Sequence, residues 1–278
     1  MQMRIPLFER SSLISSCVLF LSSVLLAVVL RVPAYGQTPL KIDGAKLVDL
    51  SYAYNAKTVY WPNAKGFEHR KDVWSMTPQG YWYAAGGFSS DEHGGTHMDS
   101  PVHFGGQDKA TVDQLPVQKL IAPALVVDVT AGVAKSRDYL ATAADVQAWE
   151  KANGAIPNGS IVLFKTGWSK FWPDRKQYLG SDVPGDIAHL HFPGIAKDAA
   201  ELLVKRGVYG VGIDTASMDY GPSKDFIVHQ VLNKAGIYGL ENVANLDRLP
   251  AKGATLIALP MKIEQGSGSP VRIVAILP

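Results

Sequence analysis

Cysteine is all but absent from this sequence, with Cys17 the only one in 278 residues. It lies within an N-terminal apolar run, so the chain beyond residue 36 has no disulfide, no thiol nucleophile and no cysteine metal ligand. An excess of either charge is also lacking. The whole chain carries 27 basic against 25 acidic side chains, and setting aside residues 1–36 with Arg4, Arg10, Arg31 and Glu9 leaves 24 against 24. There is no polybasic run, which removes nucleic acid from the expected partners. There is no Gly-x-Ser-x-Gly elbow, which sets aside a serine esterase. Gly210-Val-Gly212 lacks the third glycine and the following helix of a dinucleotide site, and leads into Asp214-Thr-Ala-Ser217 instead. Long hydrophobic runs are missing too, with one exception. Leu13 to Leu30 is uncharged, follows Arg4 and Arg10, and gives way to small residues at Ala34 and Gly36. That pattern predicts a secretory signal peptide over residues 1–36, cleaved after Gly36 or Ala34. The run exceeds a usual signal core, so an uncleaved anchor is the alternative. The expectation is export to the periplasm or the extracellular space, with residues 37–278 as one domain free of the membrane.

Apolar residues make up 47% of the chain and charged residues 19%, which suits a globular domain with a full core. From Leu40 onward β-rich runs alternate with amphipathic segments. Ala124 to Thr130, Ser160 to Thr166, Val208 to Asp214, Ala254 to Leu259 and Val271 to Leu277 read as strands. Thr142-Ala-Ala-Asp145 opens a helix through Ala152; Ile195 to Arg206, closed by Gly207, and Asp225 to Ala235, closed by Gly236, read as two more. The fold class is α/β without repeats. Residues 53–80, rich in Trp, Tyr, Pro and Gly, read as an ordered loop region.

Three of the seven histidines, His93, His97 and His103, fall within eleven residues together with Asp99. A spacing of four puts His93 and His97 on one side of a helical turn, and Gly94 and Gly95 limit that helix to a single turn. Asp99 cannot share the face of a continuing helix, and Pro101 favours extended backbone before it, so the chain must straighten near His97. Once extended, positions 97, 99, 101 and 103 point the same way. Two imidazoles and a carboxylate leave coordination positions open to water, as a catalytic metal requires and a structural zinc does not. Asp91 and Glu92 read as solvated charges or as partners of the ligands. His189 and His191 are rival ligands without a nearby carboxylate set. Trp61, Trp74, Trp82, Trp168 and Trp172 read as packing residues, one or two of which wall an aromatic pocket.

The stretch His93-Gly-Gly-Thr-His97-Met-Asp99-Ser-Pro101-Val-His103-Phe104 resembles the signature of the metal-dependent cyclase family, which includes bacterial kynurenine formamidases and isatin hydrolases. Gly210-Val-Gly-Ile-Asp-Thr-Ala-Ser217, then His229, then Glu241-Asn-Val-Ala-Asn-Leu246 resemble that family's C-terminal pattern. The resemblance runs from about Val48 to the C-terminus. It implies a swivelling β/β/α fold, with His93, His97 and Asp99 as metal ligands, His229 and Glu241 as further ligands, and His103 as the acid/base residue. It also implies zinc or manganese and assembly as a homodimer or homotetramer. Taken alone, His229 reads as an ordinary helix histidine and Glu241 as a solvated carboxylate; a reversal at Gly236 permits the two to meet. One ion or two bridged by Asp99 would satisfy five donors.

The expected activity is hydrolysis of a carbon–nitrogen amide bond in a small aryl formamide or lactam, of the N-formylkynurenine or isatin type, by metal-activated water. His103 is assigned to shuttle the proton from water to the leaving nitrogen. The alternatives are a metal-dependent lactonase or esterase, and a secreted metal- or small-molecule-binding protein without turnover.

Overall fold

The computed structural model describes residues 42–278, so the signal-peptide expectation for residues 1–36 lies outside the described residues. In chain order the strands are β1 (Leu47–Asp49), β2 (Glu68–Met76), β3 (Trp82–Ser89), β4 (His97–Asp99), β5 (Ile121–Asp128) and β6 (Leu140–Ala141). They continue with β7 (Ile161–Lys165), β8 (Gly194–Ile195), β9 (Gly210–Ile213), β10 (Tyr238–Glu241), β11 (Ala254–Pro260) and β12 (Gly268–Ile276). Eight of these form one mixed sheet in the order β1-β12-β11-β5-β7-β9-β10-β4, and a further pairing of β12 with β4 curls it into a closed barrel. β5, β7, β9 and β10 run parallel to one another; β4, β11 and β12 meet their neighbours antiparallel.

The parallel strands read as continuous apolar runs because both of their faces are buried. Within β7, Ile161 and Leu163 join the cluster inside the barrel with Tyr238, Leu240, Leu256 and Ile273. Their neighbours Val162 and Phe164 point outward and pack with Val146, Trp149, Leu203, Val228 and Leu232 from the helices. These helices are Ala143–Asn153, Lys197–Arg206 and Ile227–Lys234. The first opens on the anticipated Thr142/Asp145 capping box, and the second closes on Gly207 in left-handed backbone. That second helix begins two residues later than expected, because Gly194 and Ile195 instead pair with Leu140 and Ala141. Gly210 and Gly212 are explained by the barrel interior, where a Cβ would meet the Tyr238 ring at 2.2 Å and Leu163 Cδ2 at 2.5 Å.

The region 53–80 departs from expectation in its second half, since β2 pairs with β3 as a two-stranded antiparallel ribbon. Trp74, Met76, Tyr81, Trp82, Tyr83 and Phe88 are all exposed on it or at its tip. With neither face covered in this chain, no alternation of apolar and polar residues marks these strands. No helix among the described residues is long and apolar enough to cross a membrane.

Candidate active site

β4 lies between β10 and β12, and that placement assembles the site. Met98 points into the barrel core, so His97 and Asp99, on either side of it, face outward. The β4–β10 register sets Glu241 opposite His97 and Gly239 opposite Asp99. Gly239 leaves room there, since a Cβ would come within 3.0 Å of Asp99 Oδ2 and within 2.6 Å of Met218 Cε. His229 projects onto the same face from the helix Ile227–Lys234. The chain reverses at Gly236, in left-handed backbone, before returning as β10. The five anticipated donors therefore converge as two triplets, His93/His97/Asp99 and Asp99/His229/Glu241, each within 4.8 Å and both sharing Asp99.

The local path of the motif differs from the one its spacing suggests. His93 to Thr96 form no helical turn; Gly94 makes a β-bridge with Tyr60, and Gly95 sits at φ 59°. The His93 ring reaches the cluster from this bend because Gly268 of β12 lies beneath it, where a Cβ would collide with His93 Cε1. His103 is not on an extended strand either. Pro101 adopts helical backbone, and residues Val102–Gly105 form a single helical turn that carries His103 and Phe104 over the cluster. Proline restricts the residue before it but suits the start of a helix, and here the second preference decides.

Each imidazole is tied on its outward side to a group that fixes its tautomer. His97 Nδ1 donates to the Gly95 carbonyl at 3.0 Å. His229 Nδ1 donates to Asp219 Oδ2 at 2.6 Å, and the same carboxylate accepts from the Val228 and His229 amides. His93 Nε2 lies 2.9 Å from Ser267 Oγ, which donates its own hydrogen to Glu92 Oε2 at 2.6 Å and so accepts from the ring. The inward nitrogens consequently carry lone pairs, and they face carboxylates. His93 Nδ1 is 2.6 Å and His97 Nε2 3.2 Å from Asp99 Oδ1, and His229 Nε2 is 3.1 Å from Glu241 Oε1. Lone pairs facing carboxylate oxygens repel unless a cation or added protons sit between them. Asp99 Oδ2 is buried without a hydrogen-bond partner.

The charge balance of the cluster points the same way. Burial opposes charge on His97, yet Asp99 and Glu241 beside it raise it to about 9; Asp219, Asp99 and Glu241 likewise hold His229 well above the usual imidazole range. Burial would raise Asp99, but His97 and the hydrogen-bonding imidazoles keep it well below the usual carboxylate range, while burial and the Asp99 charge push Glu241 up. Without a metal, protons must supply the positive charge these buried carboxylates require. The donor set thus fits a divalent ion bound by nitrogen and oxygen.

His103 belongs to neither triplet. Its ring stacks on His93 with centroids 3.8 Å apart, and burial together with the neighbouring imidazoles pushes it down to about 3. A cavity of about 240 Å³ opens over the donors, walled by Val59, Tyr60, Trp61, Phe104, Ala216 and Phe226. Of the tryptophans read as packing residues, Trp61 reaches this cavity, Trp168 is buried in a satellite core, and Trp74 and Trp82 lie on the ribbon. His189 and His191 are engaged elsewhere with Asp186 and Asp138. Glu92 proves to be a partner of the ligands through Ser267. Asp219, Ser267 and Phe226 escape a reading of the sequence.

Comparison with known proteins places the chain in a family. The Cyclase family model matches residues 48–220. An isatin hydrolase of Roseibium aggregatum is 41% identical over 194 residues, covering 67% of this chain and 72% of that protein. A kynurenine formamidase of Salinibacter ruber is 32% identical over 232 residues, covering 82% and 96%. Among solved structures, an isatin hydrolase bound to the product analogue thioisatinate superposes with a TM-score of 0.77 at 35% identity, covering 84% of this chain and 92% of that one. Isatin hydrolase A of Ralstonia solanacearum gives 0.76 at 34% identity, with the same coverage. The barrel, the motif-bearing strand and the match over most of the length lead to one conclusion: this chain belongs to the cyclase family.

Proposed function

We propose that this protein is a metal-dependent hydrolase that cleaves the carbon–nitrogen amide bond of a small aryl formamide or lactam, of the N-formylkynurenine or isatin type. The observation that carries this reading is the anchoring pattern: three imidazoles, each held through its outer nitrogen, aim their inner nitrogens at a buried carboxylate pair below an aromatic cavity. His93, His97, Asp99, His229 and Glu241 would hold the ion, with zinc or manganese suiting such a donor set. When bound, a divalent ion supplies deprotonated water near neutral pH and polarises the scissile carbonyl.

The remaining work falls to the chain. The aromatic walls place the substrate ring over the donors and exclude water from the amide. His103, carried over the donors on its one-turn helix, accepts a proton from the attacking water and returns it to the leaving nitrogen as the C–N bond breaks and the C–O bond forms. Its stack on His93 keeps that ring beside the cluster while leaving it outside the donor set. Export ahead of function, read from residues 1–36, and assembly as a homodimer or homotetramer complete the proposal.

Turnover of a panel of formanilides, isatins and lactones, measured before chelation, after it, and after adding back zinc or manganese, tests the reading. Loss on chelation and recovery with one of the ions is the expected result. Full activity in protein shown by elemental analysis to be metal-free would overturn it, and turnover of lactones alone would replace the amide assignment.

A further inference from the structure

Phe226 stands apart from the other residues of the cavity in its backbone. Four non-glycine residues among those described have positive φ, and the other three are Asn242, Asn245 and Gln265. Asparagine tolerates the left-handed region because its short polar side chain can bond locally, whereas a bulky aromatic is rarely found there. Phe226 nevertheless sits at φ 49° and ψ 44°, directly before the helix that carries His229. Two hydrogen bonds hold it in place: its amide donates to Ser223 Oγ at 3.2 Å, and its carbonyl accepts from the Gln230 amide at 3.1 Å. The helix start itself does not require phenylalanine, since glycine meets the same conformation without strain.

What the conformation achieves is the placement of the ring. Its centroid lies 5.9 Å from that of Trp61 and 5.4 Å from that of Phe104, while Phe104 lies 4.9 Å from the His229 ring. Phe226 is therefore the middle panel of a continuous aromatic wall that runs from Trp61 down to the donor cluster. The ring is half-buried and borders the cavity, so it is not part of the sealed core. Among the described residues no lysine or arginine lines this cavity. Strain retained at a site-lining residue points to a role for that side chain in the site.

Building on the amide-hydrolase reading, we propose that Phe226 is the specificity-determining residue of this cavity: its ring joins Trp61 to Phe104 in one wall that selects flat aromatic substrates over aliphatic amides of the same size. A planar ring can lie against such a wall over its full area, while a puckered ring of equal carbon number touches it at a few atoms.

The test compares formanilide with N-cyclohexylformamide on the full-length, metal-loaded protein, for wild type, Phe226→Gly and Phe226→Tyr, with calorimetric binding of indole measured on the same preparations. Phe226→Gly relieves the backbone while deleting the panel. Its melting temperature should stay within about 3 °C of wild type. Its preference for formanilide should drop about five- to tenfold, through KM rather than kcat, with a matching loss of indole affinity. Phe226→Tyr should restore both. An unchanged aryl preference and unchanged indole affinity in Phe226→Gly would overturn the proposal. Equal losses on both amides accompanied by a fall in melting temperature would do so as well, since that is the pattern of a structural residue. If wild type hydrolyses neither amide nor isatin yet binds indole more tightly than Phe226→Gly does, the hydrolase reading fails while this assignment stands; equal indole binding by the two sinks the assignment whatever the amides show.

Discussion

His97, Asp99 and Glu241 stand on β4 and β10, strands clamped in register inside a closed barrel, whereas His103, Phe104 and Phe226 stand on a one-turn helix and a loop at its rim. The first group is almost wholly buried, with Asp99 at 0% exposure and Glu241 at 4%; the second is half-buried and borders the cavity. The difference follows from what each must do. An ion tolerates little error in donor position, so donors belong on backbone that cannot move without breaking a ladder of hydrogen bonds. Groups that meet substrate need a path to solvent, and short exposed elements supply it.

The firmest way to break this division is to remove its shared member. Asp99→Ala should abolish metal binding and turnover together, because both triplets lose their common carboxylate; elemental analysis and activity on one preparation check it. Retention of either would show that the cluster is not the metal centre. His103→Ala, on the rim, should keep its metal while turnover falls by about 10²–10⁴-fold. Low occupancy in that variant would move His103 into the donor set, and an unchanged rate would make it a bystander. Asp219→Asn acts on the barrel side at one remove. The amide has only one acceptor oxygen for the three N–H groups that Asp219 now serves, so His229 loses its fixed tautomer. Metal affinity should weaken by about 10–100-fold in competition with a chelator, with the fold intact by circular dichroism. At the far end of the scale lies Trp74→Ser on the exposed ribbon. It should shift stability by less than about 0.5 kcal/mol and leave KM untouched, provided the chain alone determines both.

Legibility in the sequence followed the same division. The parallel barrel strands β5, β7 and β9 announced themselves as apolar runs because they are covered on both faces, and the capping box at Thr142 and the glycine stop at Gly207 marked helix ends by local chemistry alone. The first triplet was legible because its donors are six residues apart at most. The route between them was not, since Gly94 and Gly95 allow more than one conformation and tertiary contacts with Tyr60 and Gly268 choose between them. His229 and Glu241 look ordinary in isolation, and a family resemblance was needed to single them out. Asp219 and Phe226 gave no pattern at all. The role of Asp219 is a contact across ten residues, and that of Phe226 is a dihedral angle, neither of which composition or periodicity records.

The double pairing of β12 also makes the site depend on a distant segment. This last of the described strands closes the barrel against β4, and the loop leading into it brings Ser267, which anchors His93 across a separation of 174 residues. Bringing together segments so distant costs loop-closure entropy that their pairing must offset. The histidine-rich motif thus depends on a segment far from it in the sequence. A chain ending before Gly268 would carry all five donors and still lack the strand that holds β4 in place and the serine that orients His93. Such a truncated chain would have the residues of a metal centre without the contacts that assemble it, so ion binding reports on whether β12 is in place.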